Sequence, residues 1–143
     1  MFDLTGMTAF VTGASGGIGS AIAQALAAQG ARLAVSGSNA EKLGAFRDTL
    51  GGDHVALPCN LGDGAAVDAL VPSAVDALGQ LDILVNNAGV TRDNLILRMK
   101  DDEWSDVIRI NLEANFRLAR AAAKPMMKAR FGRIVSITSV VGA

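Results

Sequence analysis

A glycine-rich segment near the N-terminus, residues 12–19 (TGASGGIG), is the part of this sequence best suited to hold a ligand. It follows a mostly apolar run at 7–11 and opens an Ala-, Ile- and Leu-rich stretch at 20–28, which indicates a strand before it and a helix after it. Glycines allow the backbone to turn tightly and to contact a pyrophosphate, whose charge then meets free N–H groups and the positive end of a helix dipole. The spacing is G-x-x-x-G-x-G rather than G-x-G-x-x-G, so the strand-helix context carries the prediction of a dinucleotide phosphate loop.

The end of the second predicted strand carries no acidic residue. In dinucleotide sites an acid at this position binds the ribose 2′-hydroxyl and repels a 2′-phosphate. Here the strand is followed by residues 36–39 (SGSN), and the next acid is Glu41. This absence favours NADP over NAD, with Ser38 and nearby backbone N–H groups as phosphate donors. No arginine lies at this turn, so the preference depends on the missing acid.

A second candidate for nucleotide contact is the segment 86–89 (NNAG), which directly follows an apolar run at 82–85. In open parallel sheets, ligands gather at the carboxyl ends of the strands. Asn and Gly are also favoured wherever φ is positive, so a simple turn remains the alternative.

Short apolar runs alternate with helical stretches along the whole chain. The runs lie at 7–11, 31–35, 54–57, 82–85 and 133–137, and the helical stretches at 18–28, 40–50, 63–78 and about 102–130. Such alternation implies parallel strands with helices on both faces, because each right-handed crossover must pass over the sheet. The predicted fold is therefore α/β: a Rossmann-type, doubly wound parallel sheet, incomplete, with about five strands and flanking helices.

Glycines and one proline mark the predicted helix ends. Gly30, Gly79 and Gly132 follow helical stretches, where a left-handed cap residue is favoured. Pro125 lies inside the long fourth stretch and lacks a backbone donor, so we expect a kink there or two consecutive helices.

Composition argues for one ordinary folded domain. The chain has 143 residues, half of them hydrophobic, and a formal net charge of −1, which argues against nucleic acid as a partner. A single cysteine excludes an internal disulfide, and no secretory signal or apolar run of ~20 residues is present, so we expect a cytoplasmic protein without a membrane span. His54 and Cys59 have no ligand-spaced partners, so no metal site is predicted and His54 is expected simply to open a strand.

The motifs together resemble those of the short-chain dehydrogenase/reductase family. The resemblance includes the glycine-rich segment, the segment 86–89, Asn111 in the long helical stretch and Ser139 after the fifth apolar run, and it extends over the whole chain. Within the family, finer runs are similar to bacterial 3-oxoacyl-[acyl-carrier-protein] reductases. These runs are 90–95, 98–100, 102–104, 126–128 and 132–142.

This resemblance implies that NADPH lies across the carboxyl edge of the sheet. The implied cofactor-binding residues are Gly13, Ser15, Gly16, Gly17, Ile18 and Gly19 in the phosphate loop, Ser38 near the 2′-phosphate, Asn60 and Leu61 beside adenine, and Asn87, Ala88 and Gly89 toward nicotinamide. It also implies two catalytic residues. The hydroxyl of Ser139 would polarise the substrate carbonyl, and Asn111 would hold a water of the proton relay.

The implied activity is reduction of 3-oxoacyl thioesters, carried on acyl-carrier protein, for fatty-acid synthesis. The alternatives are a related reductase of acetoacetyl-CoA or another small carbonyl, and a non-catalytic nucleotide-binding module. A Tyr-x-x-x-Lys pair is implied shortly beyond the serine, but the chain has no tyrosine, and Lys124 and Lys128 precede Ser139. We therefore expect residues 1–143 to be one NAD(P)-binding domain, the N-terminal part of a longer reductase.

Two surface features bear on partners. The family's sheet continues beyond the fifth strand, and an uncovered edge exposes unpaired backbone, so we expect a homo-oligomer. Residues 114–143 hold six bases and no acid, and Arg117, Arg120, Lys124 and Lys128 are spaced to share one helical face. A solvated face is one interpretation; the other is that this face, or Arg130 and Arg133 at its end, attracts the acidic carrier protein.

Overall fold

The computed structural model describes residues 2–90 and 94–139 and contains a five-stranded parallel sheet. The strands are β1 (Thr8–Val11), β2 (Arg32–Val35), β3 (Val55–Ala56), β4 (Ile83–Asn86) and β5 (Arg133–Ser136). Their spatial order is β3-β2-β1-β4-β5, and every pairing is parallel. The predicted doubly wound α/β sheet is therefore confirmed. Its order reverses between β1 and β4, which is where such sheets bind ligands.

Helices cover both faces of this sheet. They are α1 (Gly17–Ala28), α2 (Ala40–Thr49), α3 (Gly64–Leu78), α4 (Asp101–Val107), a π-helix (Ile108–Glu113) and α5 (Ala114–Ala129). Side chains alternate across β1: Ala9 and Val11 pack with residues of α1 and α2, whereas Phe10 packs with residues of α3 and α5. Because both faces are covered, the central strands carry apolar residues at consecutive positions, as at 9–11 in β1 and 83–85 in β4.

Helix ends agree with the sequence at two of the three predicted cap glycines. Gly79, with φ of 85°, closes α3, and Gly30, with φ of 101°, lies just beyond α1. The prediction for Gly132 is wrong, because Arg130 is the left-handed residue that ends α5. Gly132 serves packing instead, since a Cβ there would lie 2.5 Å from the Cγ of Met126.

The irregularity of the long helical segment lies upstream of its proline. No break occurs at Pro125, and α5 runs through it from Ala114 to Ala129, so the prediction of two consecutive helices divided there is wrong. Buried Leu118, Ala122 and Met126 hold this part of the helix against the rest of the core, which offsets the missing backbone donor. The bonding pattern changes instead in the π-helix.

His54 has the structural role expected of it, immediately before β3. Its Nδ1 atom accepts a hydrogen bond from the backbone N–H of Leu33 at 3.0 Å, which ties the start of β3 to β2. Burial lowers the pKa of His54, nearby Arg32 lowers it further, and Asp53 opposes both. The folded protein therefore binds a proton here less readily than the unfolded chain does.

Acidification should weaken the fold through His54. Its folded pKa lies below the unfolded value of about 6.5, so its contribution is fully present above about pH 6.5 and is lost as pH falls through the folded pKa. We expect the free energy of unfolding to fall by about 1 kcal/mol, which is the contribution of one neutral hydrogen bond. Urea unfolding between pH 7.5 and 5 measures it, with His54→Asn as the control that keeps an acceptor but does not titrate. Parallel pH curves for the two proteins would exclude this role.

Candidate active site

A cavity of about 530 Å³ lies at the carboxyl edge of the sheet, where segments following β1, β2, β3 and β4 converge. All twelve residues predicted to bind cofactor line it: Gly13, Ser15, Gly16, Gly17, Ile18, Gly19, Ser38, Asn60, Leu61, Asn87, Ala88 and Gly89. Five further residues, which were not predicted to bind the cofactor, also line it: Ser36, Gly37, Cys59, Val90 and Ile110. The structure thus brings four separate sequence segments, together with Ile110 of the π-helix, into one concave surface.

Two glycines of the loop after β1 are required by close backbone packing. Gly13 has φ of 62°, and a Cβ there would lie 2.9 Å from the Cα of Ala88. A Cβ on Gly19 would overlap the carbonyl oxygen of Gly13 and lie 2.6 Å from the Nδ2 of Asn87. The loop and the segment after β4 can touch only because these side chains are absent.

The N-terminus of α1 faces the cavity without a side-chain cap. Gly16 is the N-cap residue, and no acid occupies the first turn. The first N–H groups of an α-helix have no intrahelical acceptor, and the helix dipole adds partial positive charge there. This end of the cavity is therefore suited to an anion.

Thr12, the first residue of the glycine-rich segment, has a structural role at the site that the sequence did not predict. Its buried Oγ1 accepts hydrogen bonds from the backbone N–H groups of Asn87 (3.0 Å) and Ala88 (3.1 Å). The Nδ2 of Asn87 in turn donates to the carbonyl of Gly13 at 3.3 Å. These bonds join the ends of β1 and β4. The available signal was a lone hydroxyl between an apolar strand and the first glycine.

The cavity lining after β2 and β3 is polar but uncharged. Exposed Ser38 lies at this end, and Ser15 approaches it, since a Cβ on Gly37 would lie 3.1 Å from the Oγ of Ser15. The Oδ1 of Asn60 accepts from the N–H of Gly62 at 2.9 Å, which orients this turn. Within residues 2–90 and 94–139, no Asp, Glu, Lys or Arg lines the cavity.

Cys59 supplies the cavity with a thiol but not with a nucleophile. Burial raises the pKa of this thiol, and the nearby carboxylate of Asp63 raises it further. The neutral thiol is a poor nucleophile. The chemistry of the cavity therefore depends on hydroxyl, amide and backbone groups.

The two residues predicted to be catalytic lie outside the cavity lining. Asn111 is in the π-helix, where its Oδ1 accepts from the N–H of Val90 at 2.7 Å and its Nδ2 donates to the Val90 carbonyl at 2.8 Å. Ser139 is exposed and follows β5. Between them, Ile137 donates its backbone N–H to the carbonyl of Asn86 at 2.9 Å. Asn111 thus contacts Val90, a residue of the cavity lining, whereas Ser139 lies just beyond β5. Positions 91–93 and 140–142 of the family resemblance lie outside the described residues.

The predicted basic face of α5 is only partly available to a partner. Arg117 bonds Asp68 of α3 at 2.7 Å and Glu113 at 2.9 Å, so its charge is compensated within the chain. The guanidinium of Arg120 lies 5.0 Å from the ring centre of Phe116. In the part of the chain that the structure describes, no three metal-ligating side chains cluster, and no helix is long and apolar enough to cross a bilayer.

Comparisons with known proteins agree with this architecture. The model of the short chain dehydrogenase family matches residues 7–143. Nodulation protein G of Rhizobium sp. (strain N33) is 51% identical over 142 residues, which cover 99% of this chain and 58% of that protein. The 3-oxoacyl-[acyl-carrier-protein] reductase FabG of Escherichia coli (strain K12) is 48% identical over 140 residues, which cover 98% and 57%. The chain thus spans somewhat more than half the length of these curated relatives.

A solved structure gives the same result. The crystal structure of a metagenomic short-chain oxidoreductase in complex with NADP matches with a TM-score of 0.92 and 40% sequence identity. The match covers 97% of this chain and 65% of that one. The chain therefore belongs to the short-chain dehydrogenase/reductase family.

Proposed function

We propose that this chain is the nucleotide-binding, N-terminal part of a longer NADPH-dependent reductase of 3-oxoacyl thioesters carried on acyl-carrier protein. The observation that carries the proposal is the cavity, which joins an uncapped, glycine-rich helix N-terminus to an uncharged second-strand end. The first suits a pyrophosphate, and the second leaves a 2′-phosphate without a repelling acid. The name of the Escherichia coli relative supports the substrate class.

The residues present fit NADP(H). A side chain on Gly13 or Gly19 would close the contact between the loop and Asn87–Ala88, and the lining is small and polar enough for a dinucleotide backbone to approach. The proposed contacts are the amides of residues 16–19 with the pyrophosphate, Ser38 with the 2′-phosphate, Asn60 and Leu61 with adenine, and Asn87, Ala88 and Gly89 with the nicotinamide half. When bound, the cofactor supplies the hydride.

The proposed catalytic groups of this chain act on the substrate carbonyl and on proton supply. The Ser139 hydroxyl donates a hydrogen bond to the carbonyl oxygen and stabilises the negative charge that develops there. Asn111, fixed against Val90, holds a water of the proton relay. The 143 residues include no tyrosine, so we propose that the proton donor belongs to the remainder of the longer protein.

One alternative function is a non-catalytic module that binds the nucleotide in the same cavity. A related reductase of acetoacetyl-CoA or another small carbonyl would use the same cavity, so only substrate trials separate it from the first proposal.

The proposed partners are the acidic carrier protein and further copies of the chain, in the cytoplasm. Arg130 is the left-handed C-cap of α5, and the guanidinium of Arg133 lies 4.8 Å from the ring centre of Phe131. Both arginines are exposed, so they form a basic surface beyond Arg117. Among the described residues all four positions of β5 are exposed, including Ile134 and Val135. Such an edge can pair either with a further strand of the longer protein or with another copy.

Nucleotide titration tests the proposed function directly. We expect NADPH to bind more tightly than NADH, because the cavity has hydroxyl and amide donors but no carboxylate at the 2′ position. Fluorescence of the reduced nucleotides measures both affinities. Tighter NADH binding would contradict the cofactor preference, and no binding of either would remove the proposal.

Reduction is then assayed on the longer protein with 3-oxoacyl thioesters of acyl-carrier protein and of coenzyme A, by loss of NADPH absorbance. Turnover with the carrier-protein thioester supports the first proposal. Turnover only with coenzyme A thioesters favours the related reductase. Tight NADPH binding with no turnover on any of them favours the module.

A further inference from the structure

Near the cavity, two asparagines have buried side-chain atoms without hydrogen-bond partners among the described residues. Asn86 is 1% exposed, and neither its Oδ1 nor its Nδ2 has a hydrogen-bond partner among these residues. The Oδ1 of Asn115 also has none. Buried polar side chains are kept for a reason, because each one costs free energy unless it makes a useful bond. Asn115 makes such a bond.

The side-chain amide of Asn115 is hydrogen-bonded to the backbone of Asn111. Its Nδ2 donates to the carbonyl oxygen of Asn111 at 2.7 Å, at the junction where the π-helix returns to α-helix. Such π segments are rare and concentrate at functional sites, where they displace a residue from regular helical geometry. The bond therefore fixes the backbone of Asn111 at the position where helical bonding changes.

From Asn111 the connection continues into the cavity wall. The Asn111 side chain holds both backbone polar groups of Val90, and Val90 and Ile110 line the cavity together with Asn87, Ala88 and Gly89. A Cβ on Gly89 would lie 3.1 Å from the Oδ1 of Asn111, so the wall packs directly on this amide. Asn115 is thus connected to the cavity lining through one residue, Asn111.

We propose that Asn115 is a positioning residue for the cofactor: it holds Asn111, and through Asn111 it sets the wall formed by residues 87–90. This inference rests on the proposed function, which places the nicotinamide half of NADP(H) against that wall. The adenosine end of the cavity, at Ser38 and Asn60, lies on other segments and does not depend on Asn115.

The chain contains a matched example of the same bond without the connection. Ser73 on the exposed face of α3 donates its hydroxyl to the carbonyl of Ala69, one turn earlier, at 2.9 Å. Serine can therefore make this bond within a helix of this protein. Asn115→Ser keeps a donor where Asn115→Ala removes it, and the two variants differ by a single oxygen.

The test compares binding of NADPH with binding of 2′,5′-ADP, which carries only the adenosine half, by calorimetry. We expect Asn115→Ala to weaken the binding of NADPH about 3- to 10-fold, the range for one lost hydrogen bond. The affinity for 2′,5′-ADP should be unchanged. Asn115→Ser should stay within about 2-fold of wild type for both ligands, since the donor is retained. Ser73→Ala should change neither affinity.

Equal NADPH affinities for the Ala and Ser variants would overturn the inference, as would a parallel loss of 2′,5′-ADP affinity, which indicates general weakening of the fold. Amide hydrogen exchange at Val90 gives a second measurement on the ligand-free protein. Exchange should accelerate in Asn115→Ala and not in Asn115→Ser, and identical rates would also overturn it. If the wild-type protein binds neither nucleotide, the proposed function fails first, and the variants need not be compared.

Discussion

Replacing Gly19 by alanine should weaken NADPH binding by about 5- to 150-fold. The new Cβ would overlap the carbonyl oxygen of Gly13 and press on the amide of Asn87, so the loop and the segment after β4 would have to separate. Overpacking of this kind costs about 1–3 kcal/mol, and each 1.4 kcal/mol is about tenfold in affinity. Backbone atoms, unlike the end of a long side chain, cannot move aside without moving their strands.

Gly44 provides the matched control for this substitution. It lies in the interior of α2, and a Cβ there would meet no atom within 4 Å. Gly44→Ala should leave NADPH affinity unchanged and raise the free energy of unfolding by about 0.5–1 kcal/mol, because alanine loses less backbone entropy in a helix. Fluorescence titration and urea unfolding measure the two quantities. Wild-type affinity in Gly19→Ala would mean that the loop does not form the phosphate site.

The sheet could be predicted from sequence because its signals are local. The apolar runs gave all five strands within a few residues, and Asn39 and Asp63 cap α2 and α3 where polar residues precede helical stretches. The glycine loop is similarly local, because its strand and helix flank it in the chain. Side chains that lie near each other in sequence need no tertiary information to be placed together.

Features that depend on distant packing were not predictable in this way. Gly132 resembles a cap glycine in sequence, but in the fold it packs against Met126, and Arg130 takes the left-handed position instead. The π-helix was not predicted either; within it, Asn111 bonds to Val90, 21 residues earlier, a contact that local sequence does not reveal. Thr12 was missed for the same reason, since its partners Asn87 and Ala88 are 75 and 76 residues away.

Ser38→Asp should reverse the cofactor preference of the protein. Ser38 is the exposed residue of the cavity after β2, and no charged side chain among the described residues offsets a new carboxylate in that lining. An aspartate would repel the 2′-phosphate of NADPH, and like charges juxtaposed in a binding site cost several kcal/mol. The same carboxylate would accept a hydrogen bond from the 2′-hydroxyl of NADH. We expect the ratio of NADPH to NADH affinity to fall by about 100-fold or more, which corresponds to about 3 kcal/mol.

Charge can be separated from shape by comparison with Ser38→Asn, whose side chain has nearly the size of aspartate but no charge. Ser38→Asn should weaken the binding of both nucleotides only modestly. The loss of NADPH affinity in Ser38→Asp should shrink as the salt concentration is raised, because ions screen repulsion at an exposed site. Titrations of both nucleotides at two salt concentrations measure these effects. If Ser38→Asp and Ser38→Asn have the same nucleotide affinities at both salt concentrations, the 2′-phosphate does not lie at Ser38. The assignment of this end of the cavity to the adenosine ribose is then wrong.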